Sequence, residues 1–239
     1  HFRDRVIHHA LCNIIEPIFE KSFIYDSYAN RRGKGTFKAI ERFNDFSRRG
    51  SRNHSQPAFV LKADIRKYFE NVHHSFLLSI LRKRIPNQKI IWLIKTILSN
   101  YQKDNESVGM PLGNLTSQFF ANVYLNELDQ FVKHDLGAAY YLRYVDDFVI
   151  IHPSVKILKQ YTVKIDHFLT EKLKLSLHPD KTKIISIHNG VEFLGTRIFP
   201  HHKLLKMKNL RKFKRKLKTY SQSYDRAEIE YDTIYDFLE

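Results

Sequence analysis

The sequence is short of cysteine, of acid and of long apolar runs. Its one cysteine, Cys12, excludes an internal disulfide and fits a reducing, cytoplasmic setting. No apolar run approaches the roughly 18 residues of a membrane span, so no membrane association is expected. The start, His1-Phe2-Arg3-Asp4, has neither a methionine nor a signal-peptide pattern. The chain is therefore expected to be a fragment, with residues missing at its start and its end. Acid is scarce: 25 Asp and Glu face 40 Lys and Arg, a net charge of +15. An excess of that size points to a polyanionic partner, because lysines and arginines that neutralise phosphates release counterions. Many basic proteins bind nothing in particular, so charge is only a first pointer.

What is present is globular: 43% hydrophobic and 13% aromatic residues, with no repeats and no low-complexity tract. At 239 residues the chain can form one large domain or two small ones with ample core. The pattern predicts helices over Asp4–Ile24, Thr36–Ser47, His73–Arg84, Asn87–Ser99 and Leu115–Leu136, the last capped by Asn114 or Thr116. Arg48–Gln56 reads as a polar loop. Phe59–Ile65 alternates as a strand, and the apolar run Ala138–Ile151 as a hairpin. Ser154 can cap a helix reaching Leu173. Thr182–Ile187 and Val191–Phe199 are expected to pair across a turn at Asn189-Gly190. Met207–Tyr220 is helical, with Leu210, Phe213 and Leu217 on one face. One antiparallel sheet with interspersed helices makes the fold class α+β.

Inside the hairpin run sits Tyr144-Val145-Asp146-Asp147. A hairpin tip favours Asn-Gly or Asp-Gly, which accept positive φ. Adjacent aspartates are poor turn chemistry and repel one another unless a cation neutralises them, and a divalent ion with oxygen ligands is the natural candidate. Taken alone the dipeptide fits a solvated acidic turn equally well. Asp64, near the end of the Phe59–Ile65 strand, is a second anomaly, though alone it reads as a strand-end turn residue. Beside the hairpin carboxylates it would complete a two-metal site for phosphoryl or nucleotidyl transfer, with cations roughly 3.5–4 Å apart clamping the attacking and leaving oxygens.

Other segments are ambiguous alone. Phe69 could press on a nucleotide sugar or simply fill the core. Gly109–Gln118 is a capped helix start that could also approach an anion or a base pair. Arg31-Arg32-Gly33-Lys34 is either a solvated charge run or a triphosphate grip. Nine Lys and Arg crowd the sixteen residues Lys203–Lys218, a face that could follow a nucleic-acid backbone without reading sequence.

In order along the chain these features resemble a reverse transcriptase. Tyr144-Val145-Asp146-Asp147 is similar to the family's catalytic hairpin. Asp64-Ile65-Arg66-Lys67-Tyr68-Phe69 is similar to the strand with its first aspartate and sugar-gate aromatic. Leu177-His178-Pro179-Asp180-Lys181-Thr182 resembles the later palm segment with a phosphate-approaching lysine, and Phe193-Leu194-Gly195 the primer grip. The resemblance implies a right-hand polymerase: fingers at 1–57, palm at 58–200 with a fingers-side helical insertion near 85–108, and the start of a helical thumb at 201–239.

It also implies roles. Asp64, Asp146 and Asp147 are the catalytic carboxylates. With the Ile65 carbonyl they would hold two Mg²⁺ ions, Mn²⁺ being an alternative. Arg31, Lys34 and Lys181 would neutralise a deoxynucleoside triphosphate, to which Lys67 and Tyr68 offer backbone N–H groups. Phe69 would exclude ribonucleotides, Val145 would touch the primer end, and Leu112 and Gly113 would border the nascent base pair. Lys208, Arg211, Lys212 and Arg215 would follow the nucleic-acid backbone. Expected partners are template RNA and a DNA or RNA primer.

Arg3–Leu11 and Tyr28–Thr36 resemble bacterial group II intron-like enzymes. Leu112-Gly113-Asn114-Leu115-Thr116-Ser117-Gln118, where many relatives read Gln-Gly and then Ser-Pro, is similar to the error-prone enzymes of diversity-generating retroelements. That implies a bacterial or phage-encoded protein with a small basic accessory partner. Rival readings are an intron maturase with reverse transcriptase activity, a catalytically silent RNA-binding scaffold on the same fold, and, more remotely, an RNA-dependent RNA polymerase.

Overall fold

The computed structural model describes residues 2–101, 107–111, 113–226, 228 and 230–233. The chain forms two compact units, residues 1–187 and 188–239.

The first unit opens with α1 (Phe2–Glu20), which buries Leu11, Cys12, Ile15 and Phe19 as one stripe. Burial pushes the Cys12 thiol up to about 12, with Glu16 adding to the shift, so it packs as an inert small hydrophobe. A loop leads to α2 (Thr36–Gly50), whose Ala39, Ile40, Phe43 and Phe46 recur at helical spacing and face inward. The segment expected to begin a polar loop at Arg48 thus starts inside this helix. Strand β1 (Phe59–Asp64) is followed by a single 3-10 turn at Tyr68–Glu70. Two amphipathic helices come next, α3 (His74–Arg82) and α4 (Gln88–Ser99), the second capped by Asn87 Oδ1, which accepts from the Lys89 and Ile90 N–H groups.

Helix α5 (Leu115–Gln130) continues as a wide turn over Phe131–Asp135. It is buried nearly all round, and its polar residues are bonded accordingly. Thr116 Oγ1 meets His8 Nδ1 at 2.9 Å, and Asn122 Nδ2 donates to the Ala29 carbonyl at 2.8 Å. Then come β2 (Tyr141–Tyr144), β3 (Asp147–His152), α6 (Val155–Phe168, capped by Ser154 Oγ) and β4 (Lys183–Ser186). The sheet order is β2-β3-β1-β4, all antiparallel. Phe148 to Ile151 are all buried, so this strand is covered on both faces, which explains its unbroken apolar run. Helix α6 packs on β1, β3 and β4, and α5 meets the sheet through Tyr141 and Arg143.

The second unit is a three-stranded meander, β5 (Val191–Phe193), β6 (Thr196–Ile198) and β7 (Lys203–Leu205), followed by α7 (Met207–Asp225). This corrects the expected pairing of 182–187 with 191–199. Lys183–Ser186 joins β1, and 191–198 folds on itself about Leu194-Gly195, both at positive φ (48° and 80°). The Asn189-Gly190 signal misleads because Ile187–Asn189 coils into a 3-10 turn. Gly190, at φ +73°, makes a corner against the Phe199 ring, where a Cβ would lie 2.5 Å from the ring. Among the described residues no helix is long and apolar enough to cross a membrane.

Candidate active site

The antiparallel register sets Asp64 opposite Asp147 and Tyr144 opposite Asp147, so the two central residues of the hairpin turn are Val145 and Asp146. Asp147 is therefore the first residue of β3 rather than part of the tip. Val145 has φ 55°, the pattern of a turn whose first central position normally takes glycine. The Ile65 N–H donates to the Asp146 carbonyl at 3.3 Å and ties the end of β1 to that tip. Paired residues of adjacent strands share a face, so Asp64 and Asp147 lie together with Asp146 beside them.

The Leu177–Thr182 segment runs along the same end. His178 N–H donates to the Asp64 carbonyl at 2.8 Å and Arg66 N–H to the Ser176 carbonyl at 2.9 Å. Lys181 Nζ reaches Asp64 Oδ2 at 2.9 Å, and its side chain remains 56% exposed.

This geometry strains the charges. Burial, and then the neighbouring Asp64 and Asp147 carboxylates, raise the Asp146 pKa to about 6. Burial also raises Asp147, with Asp64 adding to the shift and Lys62 and Lys181 opposing it. Lys181 is raised by its hydrogen bond to Asp64. Among the described residues no group of three or more His, Cys, Asp or Glu side chains is arranged to hold a metal ion by itself. The donors are nonetheless of the hard-oxygen kind that a divalent cation takes: the Asp146 and Asp147 carboxylates, whose negative charge is disfavoured by burial and by their neighbours, and Asp64, on which a lysine ammonium already stands as a cation. Mg²⁺ binds through one or two carboxylates plus substrate phosphates and waters, so an incomplete protein cage is the expected form.

The remaining expected residues lie in several separate segments. Lys67 takes a left-handed conformation (φ 45°) just before the 3-10 turn, where the first N–H groups have no acceptor within the turn. The Tyr68 side chain is buried and its hydroxyl donates to the Ala121 carbonyl at 2.8 Å. Phe69 is partly buried, 5.3 Å from the Tyr68 ring. Its carbonyl accepts from Met110 N–H at 2.7 Å, and Gly109 N–H donates to the Val72 carbonyl at 2.8 Å. Buried His74 donates from Nε2 to the Gly109 carbonyl at 2.6 Å. The chain leading to Gly113 is thereby laid along Phe69. Gly109, at φ +97°, has no room for a side chain, since a Cβ would lie 2.7 Å from Tyr101. Gly113 is exposed at φ +92°; Leu112 lies outside the described residues.

Arg31 and Lys34 are engaged within their own loop. Arg31, only 7% exposed, pairs with Glu20 at 2.6 Å and donates to the carbonyls of Ile24 and Ser27. Lys34 Nζ donates to the Tyr25 carbonyl and sits 3.3 Å from the Tyr25 ring centroid. Its pKa is lowered by burial and then by Arg31. The loop itself borders the hairpin: Ser27 pairs in parallel with Arg143, and Thr36 Oγ1 lies 3.1 Å from the Tyr144 hydroxyl. In the second unit, Phe193 is buried and Leu194-Gly195 form the β5–β6 turn. Lys208, Arg211, Lys212 and Arg215 are all exposed on α7.

Sequence reasoning missed the support of the hairpin. Arg143 and Asp129 are both fully buried and form a bidentate pair, Nε to Oδ1 at 2.7 Å and Nη2 to Oδ2 at 2.6 Å. The Tyr141 hydroxyl donates to Asp129 Oδ1 at 2.6 Å, and Arg143 Nη1 donates to Asn122 Oδ1 at 3.2 Å and to the Val145 carbonyl at 2.9 Å. Burial opposes the charge on Arg143, but Asp129 outweighs it and raises its pKa. The signal was an arginine inside an apolar strand, a charge that must find a buried partner.

Residues 1–198 match the family model described as reverse transcriptase (RNA-dependent DNA polymerase). Protein YkfC of Escherichia coli (strain K12) is 28% identical over 237 residues, covering 82% of this chain and 61% of that protein. The group II intron-encoded protein LtrA of Lactococcus lactis subsp. cremoris is 29% identical over 136 residues, 55% of this chain and 22% of that protein. The chain thus spans about three fifths or less of the length of these relatives. Among solved structures, apo telomerase from Candida tropicalis truncated from its C-terminal domain superposes with a TM-score of 0.61 at 17% identity, over 84% of this chain and 44% of that one. At that identity what is shared is the fold.

Proposed function

This chain belongs to the reverse transcriptase (RNA-dependent DNA polymerase) family, and we propose that it adds deoxynucleotides to a primer 3′-hydroxyl on an RNA template by two-metal nucleotidyl transfer. The observation that carries this reading is the β1–β3 register, which sets Asp64 opposite Asp147 beside the Val145-Asp146 turn, with Lys181 on Asp64. Two Mg²⁺ ions, or Mn²⁺, held by Asp64, Asp146, Asp147 and the Ile65 carbonyl would supply positive charge at the attacking and departing oxygens.

The chain's own groups do the positioning. Asp64 and Asp147 orient their carboxylates from a paired strand face. Asp146, with a pKa of about 6, is mostly ionised at neutral pH. Lys181 is exposed enough to leave Asp64 for a triphosphate oxygen, since exposed ion pairs are weak. The N–H groups of Lys67 and Tyr68 add donors, and Lys34 contributes positive charge from the loop along β2. Arg31, bridged to Glu20 and to the Ile24 and Ser27 carbonyls, would have to exchange those partners to reach a triphosphate. Phe69 closes the space a 2′-hydroxyl would need, Val145 meets the primer end, and Gly113 borders the new base pair, the role expected of Leu112 as well. Phe193-Leu194-Gly195 would hold the primer.

Two element classes fit. The Leu112–Gln118 segment favours an error-prone enzyme of a diversity-generating retroelement, bacterial or phage-encoded, working with a small basic accessory protein. The match to LtrA favours a group II intron-type enzyme with a maturase role. Primer extension on a defined RNA with Mg²⁺ and deoxynucleotides tests both levels. Extension that EDTA and Asp146→Asn abolish supports the polymerase; no extension by the native chain overturns it. Errors concentrated opposite template adenine, relieved by Leu112→Gln, would support the first class, and accurate copying the second.

A further inference from the structure

We propose that the buried Asp129–Arg143 pair is a positioning device that pins the Val145-Asp146 turn and so aims the Asp146 carboxylate; the proposal rests on the polymerase reading of that site. Val145 occupies the left-handed region at φ 55°. For a β-branched residue this is strained, because its Cβ substituents crowd the backbone. Such a conformation persists only where surrounding structure over-determines it. Here the restraint is visible. Arg143 Nη1 donates to the Val145 carbonyl at 2.9 Å, fixing the peptide that leads directly into Asp146.

The guanidinium is in turn immobile. Asp129 takes two of its nitrogens, and Asn122 Oδ1 and Ser27 Oγ accept at 3.2 and 3.3 Å. The Arg143 backbone is held on both sides, its N–H by the Asp26 carbonyl at 2.9 Å and its carbonyl by Tyr28 N–H at 3.0 Å. The pair thus connects three elements, α5, the Asp26–Tyr28 loop and β2, to a single carbonyl in the turn. A buried ion pair is poor evidence of stability as such, since apolar residues of equal volume often serve a core as well. An apolar pair could not hold the Val145 carbonyl. Nor could lysine, a point charge without the planar fork that meets Asp129, Asn122 and Val145 together.

The test compares native protein with Asp129→Asn, which keeps side-chain volume but weakens the grip on the guanidinium. Affinity for Mn²⁺ alone is read by electron paramagnetic resonance, folding by circular dichroism, and kcat and KM for deoxynucleotide on a short primed RNA. In the variant, Mn²⁺ binding weakens by about 10-fold or more, as when a group behind a metal ligand is removed. Turnover falls on the order of 100-fold, the effect of a misplacement of about 1 Å, while KM for deoxynucleotide stays nearly constant. Native-like Mn²⁺ affinity and kcat in a folded Asp129→Asn protein would overturn the proposal.

Val145→Gly supplies a second arm. Glycine accepts positive φ without strain, so the Mn²⁺ loss caused by Asp129→Asn shrinks in that background; equal losses in both backgrounds overturn the idea. If Asp129→Asn does not fold, Asn122→Ala, which removes the second acceptor of Nη1, the nitrogen that holds the Val145 carbonyl, takes its place in the cycle with the same expected direction and the same overturning result. The Mn²⁺ comparison needs no polymerisation. A native chain that fails to extend primers while the variants lose Mn²⁺ sinks the polymerase reading alone. A native chain that extends while every variant matches it sinks this inference alone.

Discussion

At the scale of single residues, the Asp146 and Asp147 carboxylates oppose folding when they are charged. Asp146 ordinarily ionises near 3.8; in the folded chain burial and its neighbours move it to about 6. A raised pKa means that the folded state binds the proton more tightly than the unfolded one. The associated stability is fully present below pH 3.8 and is lost as pH rises through about 6. Metal-free protein in EDTA should therefore melt lower at pH 7 than the rest of its titration dictates. Asp146→Asn should flatten that part of the profile and gain on the order of 1–2 kcal/mol at pH 7, while primer extension disappears and RNA binding survives. Thermal melts of both proteins from pH 4 to 8 measure the difference. An unchanged slope would return Asp146 to a solvated turn. Phe69 is tested by discrimination: Phe69→Ala should accept ribonucleotides, and sugar selectivity equal to native would leave the ring as core packing.

At the scale of elements, much of the first unit was readable. Alternation gave β1, helical spacing gave α2 to α6, and Asn87 and Ser154 cap as their chemistry suggests. The carboxylates were readable because charge in an apolar strand is conspicuous. What could not be read depends on partners distant in sequence. Arg143 needed Asp129 from α5, and nothing local distinguishes an aspartate that will be buried from one that will be solvated. Lys183–Ser186 chose β1 over the nearer Val191–Phe193 because pairing follows sheet context, which a dipeptide turn signal does not contain. Gly109 belongs to this scale as well. Gly109→Ala forces a Cβ to 2.7 Å from Tyr101 at φ +97° and should loosen the bonds of Met110 and Gly109 to Phe69 and Val72. The expected result is a loss of about 1–3 kcal/mol in chemical denaturation, together with a higher KM for deoxynucleotide. A loss of stability with KM unchanged would confine the role of that crossing to packing.

At the scale of the whole molecule, the chain has the α+β right-hand polymerase fold of its family, and its +15 charge must find an outlet. In the first unit several cations are drawn into internal pairs: Arg31 with Glu20, Arg42 and Lys133 with Asp26, Arg143 with Asp129 and Lys181 with Asp64. Helix α7 is different, because from Met207 to Tyr224 it has no acidic residue at all and its basic side chains point outward. Such a face binds phosphates without reading bases. Replacing Lys208, Arg211, Lys212 and Arg215 together by alanine should weaken binding to single-stranded RNA most at low salt. The slope of log affinity against log salt should become shallower by about 0.7 for each phosphate that is no longer neutralised, roughly 3 for four. Melting temperature should barely move, because these side chains support no core, and turnover at saturating template should stay within about twofold, since groups that grip phosphates position the strand rather than react. Fluorescence anisotropy between roughly 50 and 300 mM KCl, conditions in which counterion release dominates, decides the matter. An unaltered slope would make α7 a solvated helix and direct the search for the phosphate-binding surface to the first unit.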